Sequence, residues 1–223
     1  MKKAKDAIIL SVSNRMFLQD GYKPTTMRKI AQEAEVSLGL ATYFFKSKRL
    51  IAVKIMETYL RDLRSRVSAA VDAADRPLLH SASMVRLCDE FLMTPDYRVF
   101  FLECLYYDIY AESLQQLGTG SLQRITDKYH IDDNPDLILL SDNYIPPSIE
   151  RILLLEKEKG NFSRISYDDI PDIVFQSSVE RYAGQEEFRD QVHQATVESR
   201  GIVSQILSSM PPREAYHALL FPV

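Results

Sequence analysis

Apolar residues recur at helical spacing from the first turns of the chain onward. Ile8, Ile9, Val12, Met16 and Phe17 form one face of a first helix, and Asp20-Gly21 supplies its stop, glycine being free to take the left-handed conformation after a last turn. Pro24-Thr25-Thr26 then offers a turn and a hydroxyl cap for a short second helix whose apolar face is Met27, Ile30, Ala31 and Ala34. Glu35-Val36-Ser37 is a tight link, with Ser37 placed to cap a third helix from Leu38 to Phe44. Lys46-Ser47-Lys48 restarts a long fourth helix through Leu50, Val53, Met56, Tyr59, Leu60, Leu63 and Val67. Ile30, Ala31, Val36, Phe44 and Phe45 are expected to make the small core of this head, with Tyr22 packed on it.

After the break at Asp75-Arg76-Pro77 the pattern predicts helices over 78–93, 95–111, 120–130, 135–159, 167–183 and 185–209. Pro146-Pro147 must kink or split the fourth of these, because proline lacks a donor and clashes one turn back. Arg213 to Val223, behind Pro211-Pro212, is a tail without assigned structure that is expected to pack on the body through Leu219, Leu220 and Phe221. No evenly spaced alternating runs end in Asn-Gly or Asp-Gly, and glycine is sparse, so sandwiches and barrels fit poorly. The fold class is all-α: a three-helix head joined through the long fourth helix to a helical body, with the boundary placed inside that helix at residues 1–50 and 51–223.

Composition changes this picture in two ways. Hydrophobic residues make up 46% of 223 residues, enough for a real core, yet no uninterrupted apolar run is long enough to cross a membrane. The basic start Met1-Lys2-Lys3-Ala4-Lys5 is followed by Ile8-Ile9-Leu10, which Ser11, Ser13, Asn14 and Arg15 cut short, so no export signal is read there. A cytoplasmic protein with Cys88 and Cys104 as buried free thiols is the expectation. Secondly, the net charge of -4 is unevenly spread: residues 1–66 hold 14 Lys and Arg against 6 Asp and Glu, and the remainder 13 against 25. A basic head on an acidic body suits a polyanion partner for the head alone.

Two short helices joined by a three-residue turn within a basic head are what a major-groove reader needs: one helix crosses the backbone and the next inserts. The segment TTMRKIAQEAEVSLGLATYFFKSKRL, Thr25 to Leu50, resembles the head of the tetracycline-repressor (TetR) family, as does Phe17-Leu18-Gln19-Asp20-Gly21-Tyr22 at the end of the first helix. The resemblance implies a DNA-binding transcriptional regulator, typically a repressor, that acts as a homodimer on double-stranded DNA at a palindromic operator. It implies phosphate or positioning roles for Thr26, Arg28, Lys46 and Lys48, with Arg49 adding charge, and places Ser37, Leu38, Gly39, Leu40, Thr42 and Tyr43 toward DNA. Lys48 matches a phosphate-binding lysine that recurs in the family, and Gly39 permits close backbone approach. Thr42 and Tyr43 depart from the family, where tyrosine and histidine are frequent at these places, so the operator cannot be borrowed from a relative. No Arg, Asn or Gln on the recognition helix can make a bidentate base contact, which predicts modest or partly indirect readout. Lys2, Lys3 and Lys5 form either a solvated tail or an arm on DNA.

The body has no comparable signature. Its segment Val99 to Tyr110 is apolar almost all round, marking a buried helix. In a body like the family's, this helix would line a cavity for a small, largely apolar or aromatic effector, with Phe100, Phe101, Cys104 and Tyr107 on it and Phe91, Met93, Tyr144, Phe175 and Tyr182 beside it; a solid aromatic core is the alternative for each. Glu103 and Asp108 suit a cationic ligand, or else a solvated face or an internal salt bridge. Ile170, Ile173, Val174 and Val179, with Phe188, Val192, Val203, Ile206 and Leu207, resemble the helix pair of the family's dimer interface. No nucleophile elbow, phosphate loop, zinc spacing or dinucleotide fingerprint is present, and the four histidines are scattered, so no enzyme, cofactor or metal is expected. The other functional reading is a helix-turn-helix regulator whose body binds a protein instead of a small molecule.

Overall fold

The computed structural model describes residues 2–118, 120–184 and 186–222, with side chains from Lys5 onward. Lys2 and Lys3, expected as part of an arm, therefore lie outside the described side chains. The described residues are helical, without a strand, and none of their helices is long and apolar enough to cross a membrane. The helices are α1 (Lys2–Gln19), α2 (Met27–Glu33), α3 (Leu38–Phe44), α4 (Lys48–Ala70), α5 (Pro77–Leu92), α6 (Arg98–Tyr106), α7 (Ile109–Leu117), α8 (Ser121–Lys128), α9 (Pro135–Asn143), α10 (Ile145–Glu158), α11 (Ile170–Val179), α12 (Glu186–Ser208) and α13 (Arg213–Leu220).

Three predicted helices are divided, each for a local reason. The stretch expected at 95–111 is two helices, because Asp108 sits in the left-handed region at φ 56° and turns the chain between α6 and α7. The stretch at 135–159 breaks at Tyr144, which lets Pro146 and Pro147 fall in the first turn of α10, where a missing N–H costs no hydrogen bond. The last turn of the stretch at 167–183 tightens into a 3-10 helix, Glu180–Tyr182. Between α2 and α3, Glu35 takes φ 51° and the Val36 amide reaches back to the Ala31 carbonyl at 2.9 Å, the six-to-one bond that closes a helix on a left-handed residue.

The chain forms two compact units. The first comprises Met1–Asp62, Leu92–Ser113 and Met210–Val223, so the head, the first part of α4, α6 and the C-terminal helix fold together. Ile9, Phe17, Ile30, Ala41, Ile51, Ile55 and Phe100 are its buried apolar centre, with the Phe17 ring 5.3 Å from Phe100 and 5.4 Å from Tyr22. The tail is helical as α13 and is anchored by polar groups. The Tyr59 hydroxyl donates to Asn14 Oδ1 at 2.7 Å, His217 Nε2 lies 3.3 Å from Tyr59 Oη and 3.0 Å from Tyr97 Oη, and Tyr216 donates to Asp62 at 2.8 Å. Tyr216 and Phe221 are the buried side chains of this tail, whereas Leu219, expected to pack, is 62% exposed because it lies on the opposite face of α13.

The second unit comprises Leu63–Phe91 and Leu114–Ser209. Leu78, Leu79, Ala82, Leu122, Ile125, Phe175, Val179 and Phe188 are part of one apolar cluster. Ile170, Val174, Val179, Phe188, Val203 and Ile206, read from sequence as dimer contacts, are buried in the chain's own fold, since the amphipathic faces of α11 and α12 turn inward. Arg86 is 1% exposed and its guanidinium is held by Glu90 at 2.9 Å, Asp168 at 2.8 Å and Asp172; Arg200 closes the set from outside, 2.6 Å from each of the two aspartates. One turn along α5, the buried Asp89 carboxyl meets the buried Glu150 of α10.

Two predictions follow from these features. Glu35→Gly should stabilise the chain by roughly 0.5–1 kcal/mol in chemical denaturation, because glycine takes the left-handed conformation without a Cβ clash; a loss of stability would contradict the turn described. Burial pushes Asp89 up from 3.8 to about 6, opposed by the hydrogen bond with Glu150 and the charge of Arg86. A carboxyl that holds its proton longer when folded contributes most below its unfolded value and progressively less as pH rises. Between pH 4 and pH 7 the melting temperature of the native chain should therefore fall relative to that of Asp89→Asn, and parallel curves would count against the buried pair.

Candidate nucleic-acid interface

Each short helix of the head is started by its own cap. Thr26 Oγ1 accepts from the Lys29 amide at 3.3 Å at the head of α2, and Ser37 Oγ accepts from the Leu40 amide at 3.1 Å at the head of α3. Thr25, one residue earlier, is buried and donates to the Gly21 carbonyl at 2.7 Å, which ties the α2 entry to the end of α1. Ile30 and Ala31 of α2 and Ala41 of α3 face inward against α1, while Phe44, Phe45 and Val36 are half-buried around them.

That packing leaves one side of α3 open. Tyr43 is 66% exposed and Leu38 is 42% exposed, with Ser37, Gly39 and Thr42 also at the surface and Leu40 half-buried. Thr42 Oγ1 donates to the Leu38 carbonyl at 2.7 Å, so its hydroxyl hydrogen is spent within the helix and its methyl and lone pairs remain for a partner. A Cβ on Gly39 would meet nothing of this chain within 4 Å. Glycine in the middle of an exposed helix costs about 1 kcal/mol relative to alanine, and the fold itself gives no steric reason for it here. Arg28, Lys29 and Lys46 are exposed around this surface, whereas Arg15 is paired with Glu33 at 2.7 Å.

Lys48 and Arg49, the first residues of α4, are engaged within the first unit. The Lys48 ammonium donates to the Tyr22 carbonyl at 2.7 Å and the Lys23 carbonyl at 3.3 Å, and lies 4.0 Å from the centre of the Tyr22 ring. Burial lowers its pKa, and the nearby Glu103 works the other way. Arg49 donates to the Tyr107 carbonyl at 2.6 Å and the Asp108 carbonyl at 3.3 Å, and pairs with Glu112 at 2.7 Å. It therefore caps the end of α6 and does not add free charge beside Lys48.

Glu103, which the sequence left as a ligand contact, a solvated face or an internal salt bridge, is an internal acceptor: its carboxylate takes the Tyr22 amide at 2.5 Å and the Lys23 amide at 3.0 Å. Gly21, at φ 91°, is required beside it, since a Cβ there would stand 3.2 Å from Glu103 Oε2. The only sequence trace of this contact is that glycine. Asp108 serves as the left-handed corner after α6.

Among the expected effector residues, Phe100, Phe101 and Cys104 are buried on α6 in the first unit, where Phe100 packs on Phe17 and Phe101 lies 5.1 Å from Tyr110. Tyr107, also in this unit, is 5.4 Å from Tyr22. Phe91 and Phe175 are buried in the second unit, and Tyr144 there is exposed. Burial raises the Cys104 thiol well above its ordinary value, and Cys88 and Cys104, both buried, are not joined in a disulfide. Among the described residues no group of three or more His, Cys, Asp or Glu side chains is placed to hold a metal ion.

Residues 9–53 match the family described as bacterial regulatory proteins, tetR family. The chain is 34% identical over 65 residues to the uncharacterized HTH-type transcriptional regulator YhgD of Bacillus subtilis (strain 168), covering 29% of this chain and 34% of that protein. It is 27% identical over 75 residues to the uncharacterized HTH-type transcriptional regulator YuxN of the same organism, covering 34% of this chain and 26% of the relative. The matched part thus spans about a third or less of the length of these curated relatives. A capped helix pair packed on α1, with the open side of its second helix outward, lies inside the matched segment, so residues 9–53 form an N-terminal helix-turn-helix domain like that of bacterial regulatory proteins of the tetR family.

Proposed function

We propose that the chain is a sequence-specific DNA-binding transcriptional regulator, a repressor that works as a homodimer on a palindromic operator and is released by a small, largely apolar or aromatic effector. The observation that carries the DNA-binding half is the open side of α3, where Leu38, Thr42 and Tyr43 stand at the surface around a glycine that no part of the chain itself crowds. Exposed Thr26, Arg28 and Lys46 supply polar and cationic contacts for phosphate, which position the head, while Ser37, Leu38, Leu40, Thr42 and Tyr43 meet base edges and thymine methyl groups. Two such heads read half-sites roughly 34 Å apart on one face of the duplex when a dimer sets their separation. The effector half rests on the family resemblance and on the aromatic content of the body. An effector shifts the balance only by binding a non-binding arrangement of the heads more tightly than the binding one.

Selection from random duplexes by the purified chain should enrich a palindrome, and screening aromatic small molecules should find one that releases it; enrichment of no sequence by folded protein would remove the specific-regulator reading. Lys46→Ala should weaken binding to every duplex and reduce the salt slope by about one phosphate contact, whereas Tyr43→Ala and Thr42→Ala should change which sequences are enriched. Gly39→Ala separates the two demands on α3. It should stabilise the free chain by roughly 0.5–1 kcal/mol and yet reduce DNA affinity; an alanine variant that gains stability and binds equally well would show that nothing approaches this backbone.

A further inference from the structure

The turn Gly21-Tyr22-Lys23, which leads from α1 toward α2, is held on both of its polar edges by residues far away in sequence. Its two amides, of Tyr22 and Lys23, point into the Glu103 carboxylate of α6, and its two carbonyls, of the same residues, receive the Lys48 ammonium of α4. Tyr22 is buried between Phe17 and Tyr107, so the peptide plane has little freedom to rotate. An ammonium has three N–H groups. Two of those on Lys48 are directed at the turn carbonyls, and the direction of the third follows from theirs.

We propose that Glu103 is a positioning residue for DNA binding: by fixing the amides of the 21–23 turn it fixes the carbonyls that hold Lys48, and so aims the remaining Lys48 N–H at a DNA phosphate. The inference rests on the DNA-binding reading and deepens it, since it gives a carboxylate on α6 a part in phosphate contact. It also makes a prediction whose sign is unusual. Removing an acidic group near a polyanion-binding surface raises affinity if charge alone matters. Removing Glu103 should lower it.

The test is a titration of wild-type chain, Glu103→Ala, Glu103→Gln and Lys48→Ala against a mixed-sequence duplex and the selected palindrome, each over a series of salt concentrations. Glu103→Ala should bind about tenfold more weakly, and its plot of log affinity against log salt should flatten by about one phosphate contact, as should that of Lys48→Ala. The double variant should lose no further slope, and Glu103→Gln, which keeps one acceptor, should fall between. A variant that is only less stable would lose active fraction with an unchanged slope, so that result, or an unchanged or higher affinity, overturns the proposal. Hydrogen exchange on the wild-type chain needs no variant to fold: the Tyr22 and Lys23 amides should be protected, and exchange at the rate of free peptide would also overturn it. Failure of the wild-type chain to bind either duplex would defeat the DNA-binding reading and the inference together, whereas binding by wild type with unaltered variants would defeat the inference alone.

Discussion

A carboxylate that accepts two consecutive backbone amides is a strong and orienting interaction, because both bonds are charge-assisted and together they set the plane of the peptide they hold. Glu103 makes this pair of bonds to Tyr22 and Lys23, about eighty residues away in the chain. The turn it holds is the point from which α2 and α3 depart. Lys48 takes the carbonyls of the same two residues, and Arg49 beside it takes the carbonyls that end α6. The start of α4 and the length of α6 are thus joined to the head by hydrogen bonds between side chains and backbone groups, which are less tolerant of displacement than apolar contacts.

Apolar packing around this frame ties the head to the other helices of its unit. Phe17 of α1 stacks on Phe100 of α6, and Tyr59 of α4 is surrounded by Asn14, Tyr97, His217 and Phe221. Burial raises the Tyr59 hydroxyl well above its ordinary value, so it stays protonated and donates to Asn14. A head of one longer and two short helices buries little apolar surface by itself. The compact unit that contains it also holds α6 and the C-terminal helix.

The second unit solves a different problem, the burial of charge. Arg86 is almost wholly inside, where an unpaired guanidinium would be prohibitively desolvated, and three carboxylates meet it. Asp89 and Glu150 are buried together, and burial raises the Asp89 carboxyl against the opposing pull of the Glu150 hydrogen bond and the Arg86 charge. The acidity of the body, visible as an excess of Asp and Glu, is therefore partly internal structure and is not all solvated surface.

The helical spacing, the caps at Thr26 and Ser37 and the extent of α3 and α5 were legible in the sequence, because helix signals are local: a period of 3.6, a hydroxyl at the start, a proline or glycine at the end. The surface of α3 was legible for the same reason, since a seven-residue helix with one small apolar face leaves the others outside. Glu103 was not, and neither was the role of Arg49, because a carboxylate or guanidinium on an apolar helix carries no mark of the backbone group it will meet. Nor did periodicity distinguish an amphipathic face buried in its own chain from one reserved for a second copy, as α11 and α12 show. The breaks at Asp108 and Tyr144 also belonged to the tertiary structure, since only packing selects a left-handed residue or a helix start within a continuous apolar run. What the amino-acid order determined by itself was each element and the chemistry of its surface; which polar groups meet, and which apolar faces are already satisfied, depended on side chains brought together from distant parts of the chain.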